Sequence, residues 1–360
     1  MISVMMPVFN AEKFVGDAIE SILRQTDPDF ELIVVNDGST DGSECVIRSY
    51  SDPRIVYISQ DNQGEGASRN RALEAAKGEW IAFQDADDIS LPMRLEVLKR
   101  QAVLYNAGFA HSDLIVINEE SAPVGFLQSS QVNRERVLRH FLRLDTPYMN
   151  PSMLLRREVF DGKRYDASIR NGTDSDVILQ IALQWPSVHV PEPLYLYRQH
   201  QRQVSAGRNE TTMLPYHQKF LRDYSIMELI PEVAWIDTLA DEQKAIAYAI
   251  AALFFVRKGF PKSASEHYDI AVQGVTHMDN RLLVEGLGHL GNQQYDRAME
   301  AFNRVSRQDH IFENYMGETL AMGFHDWNAA FTHYRKSLDL APQYYEPIEN
   351  LKNLVRALVR

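Results

Sequence analysis

Two aspartates follow an apolar run in the stretch Phe83-Gln84-Asp85-Ala86-Asp87-Asp88. If the backbone stays extended, the side chains of Asp85 and Asp87 lie on the same side. Two carboxylates so placed repel each other unless a cation lies between them. Oxygen ligands without a thiolate suit Mg²⁺ or Mn²⁺, and such a metal ion would bind a diphosphate. Aspartate clusters also form turns and cap helices, so the motif alone is a weak signal.

Three more polar segments, at 7–12, 36–43 and 60–70, follow apolar runs in the same way. The patterns predict strands at 2–6, 31–36, 54–59 and 80–84 and helices at 11–25, 43–50, 66–76 and 92–106. This alternation predicts a parallel α/β sheet with right-handed crossovers. Open sheets of this class bind ligands at the carboxyl ends of their strands. We therefore expect the four polar segments to meet at one edge.

From about residue 210 the strand signals stop and a helical repeat begins. Ala264, Ala298 and Ala330 are 34 and 32 residues apart, an aromatic residue follows each after four positions, and Ala271, Val305 and Ser337 follow after seven. The aromatic residues are Tyr268, Phe302 and Tyr334. This period resembles the tetratricopeptide repeat, although most of that family's first-helix signature is missing. The alternative is three ordinary amphipathic helices at chance spacing. Residues 341–360 are expected to form a capping helix.

Composition excludes several classes of protein. The chain has 360 residues, a net charge of −12 and one cysteine. The charge argues against a nucleic-acid groove, and one cysteine excludes both a disulfide framework and a multi-thiolate zinc site. No apolar run approaches the roughly 18 residues of a membrane span, and the start lacks the basic region of a secretory signal. We expect a cytoplasmic protein, at most associated with the inner face of the membrane.

Four motifs in order carry a family resemblance over about the first 205 residues. They are Pro7-Val8-Phe9-Asn10, Val34-Val35-Asn36-Asp37-Gly38-Ser39-Thr40-Asp41, Gly66-Ala67-Ser68-Arg69-Asn70 and Phe83-Gln84-Asp85-Ala86-Asp87-Asp88. This stretch resembles the inverting GT-A glycosyltransferases of family 2. The resemblance implies a GT-A domain with a Rossmann-like, mostly parallel sheet at 1–208, a helical connection at 209–240 and an all-α repeat domain at 241–360.

The resemblance also assigns donor-binding roles. It places the nucleotide base at Asp37 and the first loop, which contributes Pro7, Val8, Asn10 and Glu12. An aspartate accepts the imide N–H of uracil or thymine, which favours a UDP-sugar first and a dTDP-sugar second. Gly66, Arg69 and Asn70 begin a helix whose N–H groups can face ligand oxygens. Arg69 would be a cation near the nucleotide or sugar, or otherwise a surface arginine.

The remaining donor contacts belong to the aspartate motif and to two later segments. Asp85 and Ala86 would meet the ribose or sugar, and Asp87 would hold Mn²⁺ or Mg²⁺ across both phosphates. Met149–Met153 resembles the segment that lines the donor sugar, which assigns Asn150. Tyr197–Ser205 resembles the family's closing motif, in which His200 would be a third metal ligand beside Asp85 and Asp87, or a contact to the diphosphate. Arg202 and Ser205 would cover the phosphates as a lid.

A catalytic base is expected about 90 residues after the aspartate motif. Gly172–Leu179 matches that position at the start of a predicted helix. The usual glutamate of the family is Thr173 here, and Asp174 aligns with the base. Asp176 is the close alternative, unless it only caps the helix.

The sequence therefore predicts a metal-dependent inverting glycosyltransferase of hexosyl or N-acetylhexosaminyl type. Its repeats would recruit a protein or peptide acceptor, or instead form a homodimer while the acceptor is a glycan. The alternative function is a catalytically weak nucleotide-sugar-binding scaffold. The complete set of acidic site residues, Asp37, Asp85, Asp87 and Asp174, argues against this alternative. Nucleotidyl transfer would require a glycine- and lysine-rich phosphate loop near the N-terminus, and none is present. No motif indicates which sugar is moved.

Overall fold

The computed structural model describes residues 1–133, 136–142, 146–169, 172–201, 203 and 210–358. The strands are β1 Ile2–Val8, β2 Phe30–Asp37, β3 Ile55–Gln60, β4 Trp80–Phe83, β5 Ile89–Ser90, β6 Phe109–Ile117, β7 Pro123–Leu127, β8 Leu154–Arg156 and β9 Ser187–Arg198. The helices are α1 Val15–Leu23, α2 Ser43–Arg48, α3 Glu65–Ala75, α4 Arg94–Leu104, α5 Val137–Leu142, α6 Thr173–Ala182, α7 Glu210–Asp223, α8 Ile226–Leu229, α9 Ala240–Arg257, α10 Pro261–Gly274, α11 Met278–Gly291, α12 Tyr295–Phe302, α13 His310–Phe324, α14 Trp327–Leu340 and α15 Glu346–Leu358.

All the strands join one sheet, in the order β3-β2-β1-β4-β8-β6-β9-β5, with β7 paired to β6. The pairs among β1 to β4 are parallel, which confirms that part of the sequence prediction. The pairs β4–β8, β6–β8, β6–β7 and β5–β9 are antiparallel, so the sheet as a whole is mixed. The chain segment between β6 and β7 is a short turn, and such a turn can join only antiparallel strands.

The core of this sheet follows from the apolar runs. All eight residues of β2 are buried, as expected for a strand covered on both faces. The stripe of α1, which includes Val15, Ile19 and Ile22, packs into the same core. β1 continues through Pro7 to Val8, although the sequence predicted that it ends at the proline. The backbone of Pro7 faces the β4 side, where pairing has already stopped at Met5, so its missing N–H costs no ladder hydrogen bond.

The helical region forms successive pairs, with α9 packed on α10, α11 on α12 and α13 on α14. The alanines of the repeat, Ala264, Ala298 and Ala330, are buried. Two of its aromatic rings pack on glycines of the paired helix. A Cβ at Gly286 would lie 2.2 Å from the ring of Phe302, and one at Gly317 would lie 2.9 Å from Tyr334. Only glycine allows this approach, so the repeat columns are packing columns.

The chain divides into two compact units, the first covering Met1–Phe141 and Asp145–Phe220, the second Leu142–Leu144 and Leu221–Arg360. The division lies within α7, and the sequence-based boundaries after residues 208 and 240 stay predictions. None of the described helices is long and apolar enough to cross a membrane.

Candidate active site

The loops after β1 and β2 are bound to each other. The Asn10 carboxamide oxygen accepts a hydrogen bond from the Thr40 backbone N–H (2.8 Å), and the Asn10 N–H donates to the Ser39 hydroxyl (3.0 Å). The Glu12 carboxylate accepts from the Gly42 N–H at 2.6 Å. Asn10 has a φ of 50°, a conformation that asparagine tolerates better than most residues. The hydrogen bonds of Asn10 and Glu12 therefore fix the conformation of the two loops. Pro7 and Val8 are the last residues of β1, directly before the first loop.

Asp37, at the end of β2, organises the loop that precedes α3. One carboxylate oxygen accepts from the Gln60 side chain (2.7 Å) and the Gln63 N–H (3.0 Å). The other accepts from the Gly64 N–H at 2.8 Å. Asp37 is only 3% exposed, so these bonds are made out of water. The residue expected to face the nucleotide base thus also sets the shape of the glycine-containing loop.

Arg69 of α3 is a buried cation among acidic side chains. It is 3% exposed and pairs with Glu65 at 2.6 Å and more loosely with Asp85 at 3.5 Å. Its guanidinium lies over the rings of Phe83 and Tyr165. Burial opposes its charge, but the carboxylates of Glu65 and Asp85 raise its pKa above the ordinary value. The alternative of a surface arginine is therefore excluded.

Three aspartates lie close together after β4, namely Asp85, Asp87 and Asp88, and their negative charges repel one another. The Asp85 side chain is 28% exposed. Burial raises the pKa of Asp85 to about 7, helped by the Glu65 and Asp87 carboxylates and opposed by Arg69. Asp88 is 1% exposed, and burial followed by the charges of Asp87 and Asp85 raises its pKa well above the usual range. This loop holds more negative charge than its neighbours balance, which is the condition that favours a bound cation.

Asp87 and His200 come together as the sequence predicted. The His200 imidazole Nε2 lies 2.8 Å from the Asp87 carboxylate. The described residues contain no group of three or more histidine, cysteine or acidic side chains arranged to hold a metal ion. Asp85, the third expected ligand, lies toward Arg69 instead. A carboxylate and an imidazole are nevertheless a fitting donor set for Mn²⁺, since protein sites for such ions often take their remaining ligands from phosphate and water.

Asn150 meets Asp174, whose charge also acts on Arg69. The Asn150 amide N–H donates to the Asp174 carboxylate at 3.4 Å. Asp174 is the second residue of α6, next to Thr173, which donates its hydroxyl to the Asp166 carbonyl oxygen (3.2 Å). Thr173 also lies against Gly66, where a Cβ would be 3.2 Å from the threonine hydroxyl. The residue that replaces the family's glutamate is therefore a packing residue.

Asp176 lies in a different environment. Its carboxylate pairs with the Lys219 ammonium of α7 and accepts a hydrogen bond from Gln180 at 3.3 Å. Asp176 is 7% exposed. With these partners Asp176 fastens α7 to α6. Asp174 instead belongs to a cluster around Arg69, which consists of Glu65, Asp85, Asn150, Tyr165 and Asp174.

Three buried polar atoms of this cluster have no hydrogen-bond partner. They are Nη1 of Arg69, Oδ1 of Asn150 and Oη of Tyr165. Tyr165 is 2% exposed, and burial raises the pKa of its phenol. Its charge environment includes both Arg69 and Asp174. Buried polar groups are rarely left unpaired, so the cluster has capacity for a further hydrogen-bonding group.

Other predicted residues have supporting positions. Asn70 holds the segment before α6, because its amide donates to the Tyr165 carbonyl (2.8 Å) and its carbonyl accepts from the Tyr165 N–H (2.9 Å). Ala86 is buried between the two aspartates. An open pocket of about 520 Å³, lined by residues with polar side chains, includes His200 in its wall. Arg202 and Ser205 lie outside the described residues.

Sequence reasoning missed Glu65 and Tyr165 and left the role of Arg198 open. The four-residue spacing of Glu65 and Arg69 on a helix could have revealed that pair. Arg198 is 1% exposed and donates to the Asp87 carbonyl oxygen at 2.7 Å, while its N–H donates to the Asp88 carboxylate at 2.7 Å. Arg198 therefore connects the end of β9 to the loop Asp85–Asp88, which we call the acidic loop.

Comparison with known proteins identifies the family. Residues 3–162 match the model of glycosyl transferase family 2. An uncharacterised glycosyltransferase of Methanocaldococcus jannaschii is 31% identical over 205 residues, which cover 55% of this chain and 70% of that protein. The chain therefore belongs to glycosyltransferase family 2.

Other similar proteins are more distant or longer. The Escherichia coli UDP-Glc:α-D-GlcNAc-diphosphoundecaprenol β-1,3-glucosyltransferase WfgD is 30% identical over 158 residues, 42% of this chain and 62% of that protein. Staphylococcus aureus TarS superposes with a TM-score of 0.54 at 18% identity, covering 82% of this chain and 54% of TarS. Its fragment 1–349 in complex with UDP gives 0.53 at 16% identity and covers 88% and 91%. The likeness to TarS shows the fold. The chain spans only 26 to 30% of the length of four other curated relatives.

Proposed function

We propose that the chain moves a sugar from a nucleoside-diphosphate sugar to an acceptor nucleophile with inversion at the anomeric carbon. The observation that carries this proposal is the cluster around Arg69. A buried cation interacts with the charges of both Asp85 and Asp174, and three buried polar atoms of the cluster, one of them its own Nη1, lack partners. A donor sugar offers the hydroxyl groups that such atoms lack.

The donor is a UDP-sugar, with a dTDP-sugar as the second candidate. Asp37 keeps acceptor capacity beyond its three loop contacts, which suits the imide N–H of uracil or thymine. The similarity to WfgD, whose name specifies UDP-glucose, and to a TarS fragment crystallised with UDP supports the same choice. Arg69 contacts the nucleotide or sugar, and Asp85 contacts the ribose or sugar.

Asp87 and His200 would hold Mn²⁺ or Mg²⁺, with Asp85 as a further ligand. When bound, the ion neutralises the charge that develops on the leaving diphosphate. The 2.8 Å contact between the Asp87 carboxylate and the His200 imidazole supports this pairing of ligands. Arg198 keeps the loop in position through its bond to the Asp87 carbonyl oxygen.

Asp174 acts as the general base. It accepts the proton of the acceptor hydroxyl as that oxygen attacks the anomeric carbon on the face opposite the diphosphate. The anomeric carbon–acceptor bond forms while the bond to the diphosphate oxygen breaks, which inverts the centre. Asn150 orients the carboxylate through its amide N–H. Asp176 is the second candidate, and its pairing with Lys219 argues against it.

The helical unit either binds the acceptor or joins two copies of the chain in a homodimer. Paired helices of this kind form extended surfaces for chains or peptides, which supports a protein or peptide acceptor. A homodimer through these helices, acting on a glycan, is the other arrangement. We propose a cytoplasmic location and transfer of a hexosyl or N-acetylhexosaminyl group.

Nucleotide release tests the proposal. Purified protein is incubated with UDP-, dTDP- and GDP-sugars, with Mn²⁺, Mg²⁺ or EDTA, and free nucleoside diphosphate is measured. We expect release from one UDP-sugar that depends on the metal, and a rise in melting temperature with the same donor. A nucleotide-sugar scaffold would show the rise in melting temperature without release. Absence of both effects with every donor would contradict the proposal.

A further inference from the structure

Arg94, the first residue of α4, joins two segments of the candidate active site. It is fully buried, and no sequence motif pointed to its role. Its Nη2 donates to three backbone carbonyl oxygens, those of Phe83 (2.7 Å), Pro151 (2.7 Å) and Met153 (3.2 Å). The first of these ends β4, directly before the acidic loop. The other two flank Ser152, in the segment that carries Asn150.

The other terminal nitrogen of the guanidinium, Nη1, connects Arg94 to the acidic loop through Ser90 and Gln84. Arg94 Nη1 donates to the Ser90 hydroxyl (2.9 Å), and that hydroxyl donates to the Gln84 side-chain oxygen (2.6 Å). The Gln84 amide donates in turn to the carbonyl oxygens of Asp85 and Asp88, each at 3.0 Å. The backbone of the loop is therefore fixed at both ends by one chain of hydrogen bonds.

The charge of Arg94 has an unusual environment. Within the described ranges no carboxylate lies close enough to form an ion pair with it, and its guanidinium stacks on the Tyr195 ring at 4.9 Å. The Tyr195 hydroxyl accepts a hydrogen bond from the Asp85 N–H at 3.1 Å. Burial lowers the pKa of Arg94 to about 10, so the side chain stays cationic at neutral pH. Burying a cation without a paired anion costs folding free energy. We therefore expect Arg94 to serve the activity of the protein rather than its stability.

We propose that Arg94 is a positioning residue for sugar transfer: it fixes the distance between the donor-holding Asp85–Asp88 loop and the Asn150–Asp174 pair. This inference rests on the proposed function. A donor held by the loop and a base held near Asn150 react only if their spacing is correct. A misplacement of about 1 Å can cost about 100-fold in rate, even when it originates outside the reacting groups.

The variant R94K tests this role. An ammonium keeps the charge but cannot span the four acceptors that the guanidinium fork reaches. We expect kcat to fall about 100-fold while KM for the donor changes less than threefold, because the groups that contact the donor remain. The matched control is R156K. Arg156 also stacks on a ring, that of Trp80 at 4.8 Å, and donates to a carbonyl oxygen, that of Ala107, outside the acidic loop.

A milder variant covers the case in which R94K folds poorly. S90A removes only the link between Arg94 and Gln84, and we expect about a tenfold loss of kcat at unchanged KM. Wild-type kcat per folded molecule in R94K or S90A, or an equal loss in R156K, would overturn the inference alone. A wild-type chain that releases no nucleotide with any donor would overturn the proposed function and the inference together.

Discussion

Asp85 of the first unit and Glu242 of the helical unit are carboxylates in opposite electrostatic conditions. Burial and neighbouring carboxylates raise the pKa of Asp85 to about 7. Burial would raise the pKa of Glu242 as well, but hydrogen bonds from Thr276, Asn280 and His277 lower it to about 2. The Asp85 carboxylate has a loose ion pair with Arg69 at 3.5 Å, whereas the Glu242 carboxylate accepts hydrogen bonds at both of its oxygens.

The helical unit repeats this arrangement one pair of helices later. Asp279, near the start of α11, accepts from the Ser306 hydroxyl (2.6 Å) and from the backbone N–H groups of Ser306 (3.1 Å) and Arg307 (3.0 Å). These bonds lower its pKa. These two carboxylates of the helical unit therefore fasten successive helices. Burial and neighbouring carboxylates instead raise the pKa of Asp85 and Asp88 after β4. The comparison indicates that unmet hydrogen-bonding capacity, more than burial, distinguishes the acids that we propose to act in catalysis.

The largest effect we predict separates Asp174 from Asp176. D174N should lower kcat about 10³-fold, because an amide cannot accept the acceptor's proton, with little change in melting temperature. D176N should lower the melting temperature, because Lys219 loses its partner, while kcat per folded molecule stays within threefold. Steady-state nucleotide release and thermal unfolding measure both. The reverse pattern would make Asp176 the base.

A second prediction concerns Glu242 and pH. The pKa of Glu242 is about 2 in the folded chain against an ordinary value of 4.5, which corresponds to about 3 kcal/mol of stability at pH 7. A lowered acid pKa contributes above the unfolded value, so this stability is present above about pH 4.5 and is lost as the pH falls toward 2. E242Q also presents an amide N–H to the Asn280 amide that now donates to the carboxylate.

Chemical denaturation between pH 7 and pH 3 checks this effect. Wild type should be more stable than E242Q at pH 7, by an amount that stays constant down to about pH 4.5 and narrows below that pH. A gap that does not depend on pH would contradict the electrostatic account of Glu242.

The smallest predicted effect belongs to Tyr165. Y165F removes a buried hydroxyl that has no partner, so the unfolding free energy should stay unchanged or rise by up to about 1 kcal/mol. If the hydroxyl serves the donor, kcat/KM should fall about tenfold at the same time. Loss of stability with unchanged kcat/KM would place the hydroxyl among the structural groups.

The strands β1 to β4 and the helices between them could be predicted because their signals are local. Apolar runs, helical stripes and polar loops each lie within about ten residues, and the sheet brings the four strand ends together as expected. The antiparallel strands gave no such signal. β8 has three residues, and its partners are strands far along the chain.

The motifs gave the residue types of the candidate site but few of their contacts. The motifs identified Asp85, Asp87 and Asp174, whereas the partners of the buried arginines are visible only in the folded chain. Arg198 meets the Asp87 carbonyl oxygen from 111 residues away, and Arg94 meets that of Pro151 from 57. The loop-organising bonds of Asp37 go to backbone N–H groups, which no residue type reveals.

One measurement tests the central claim, that strand-end carboxylates serve chemistry while repeat carboxylates serve the fold. D85N and E242Q are compared with wild type at pH 8, with nucleotide release and melting temperature recorded on the same preparations. We predict that D85N loses at least about 100-fold in turnover yet melts no lower than wild type, since it removes a repelled charge. E242Q should melt lower and keep its turnover per folded molecule. D85N with full turnover and a lowered melting temperature would contradict the account.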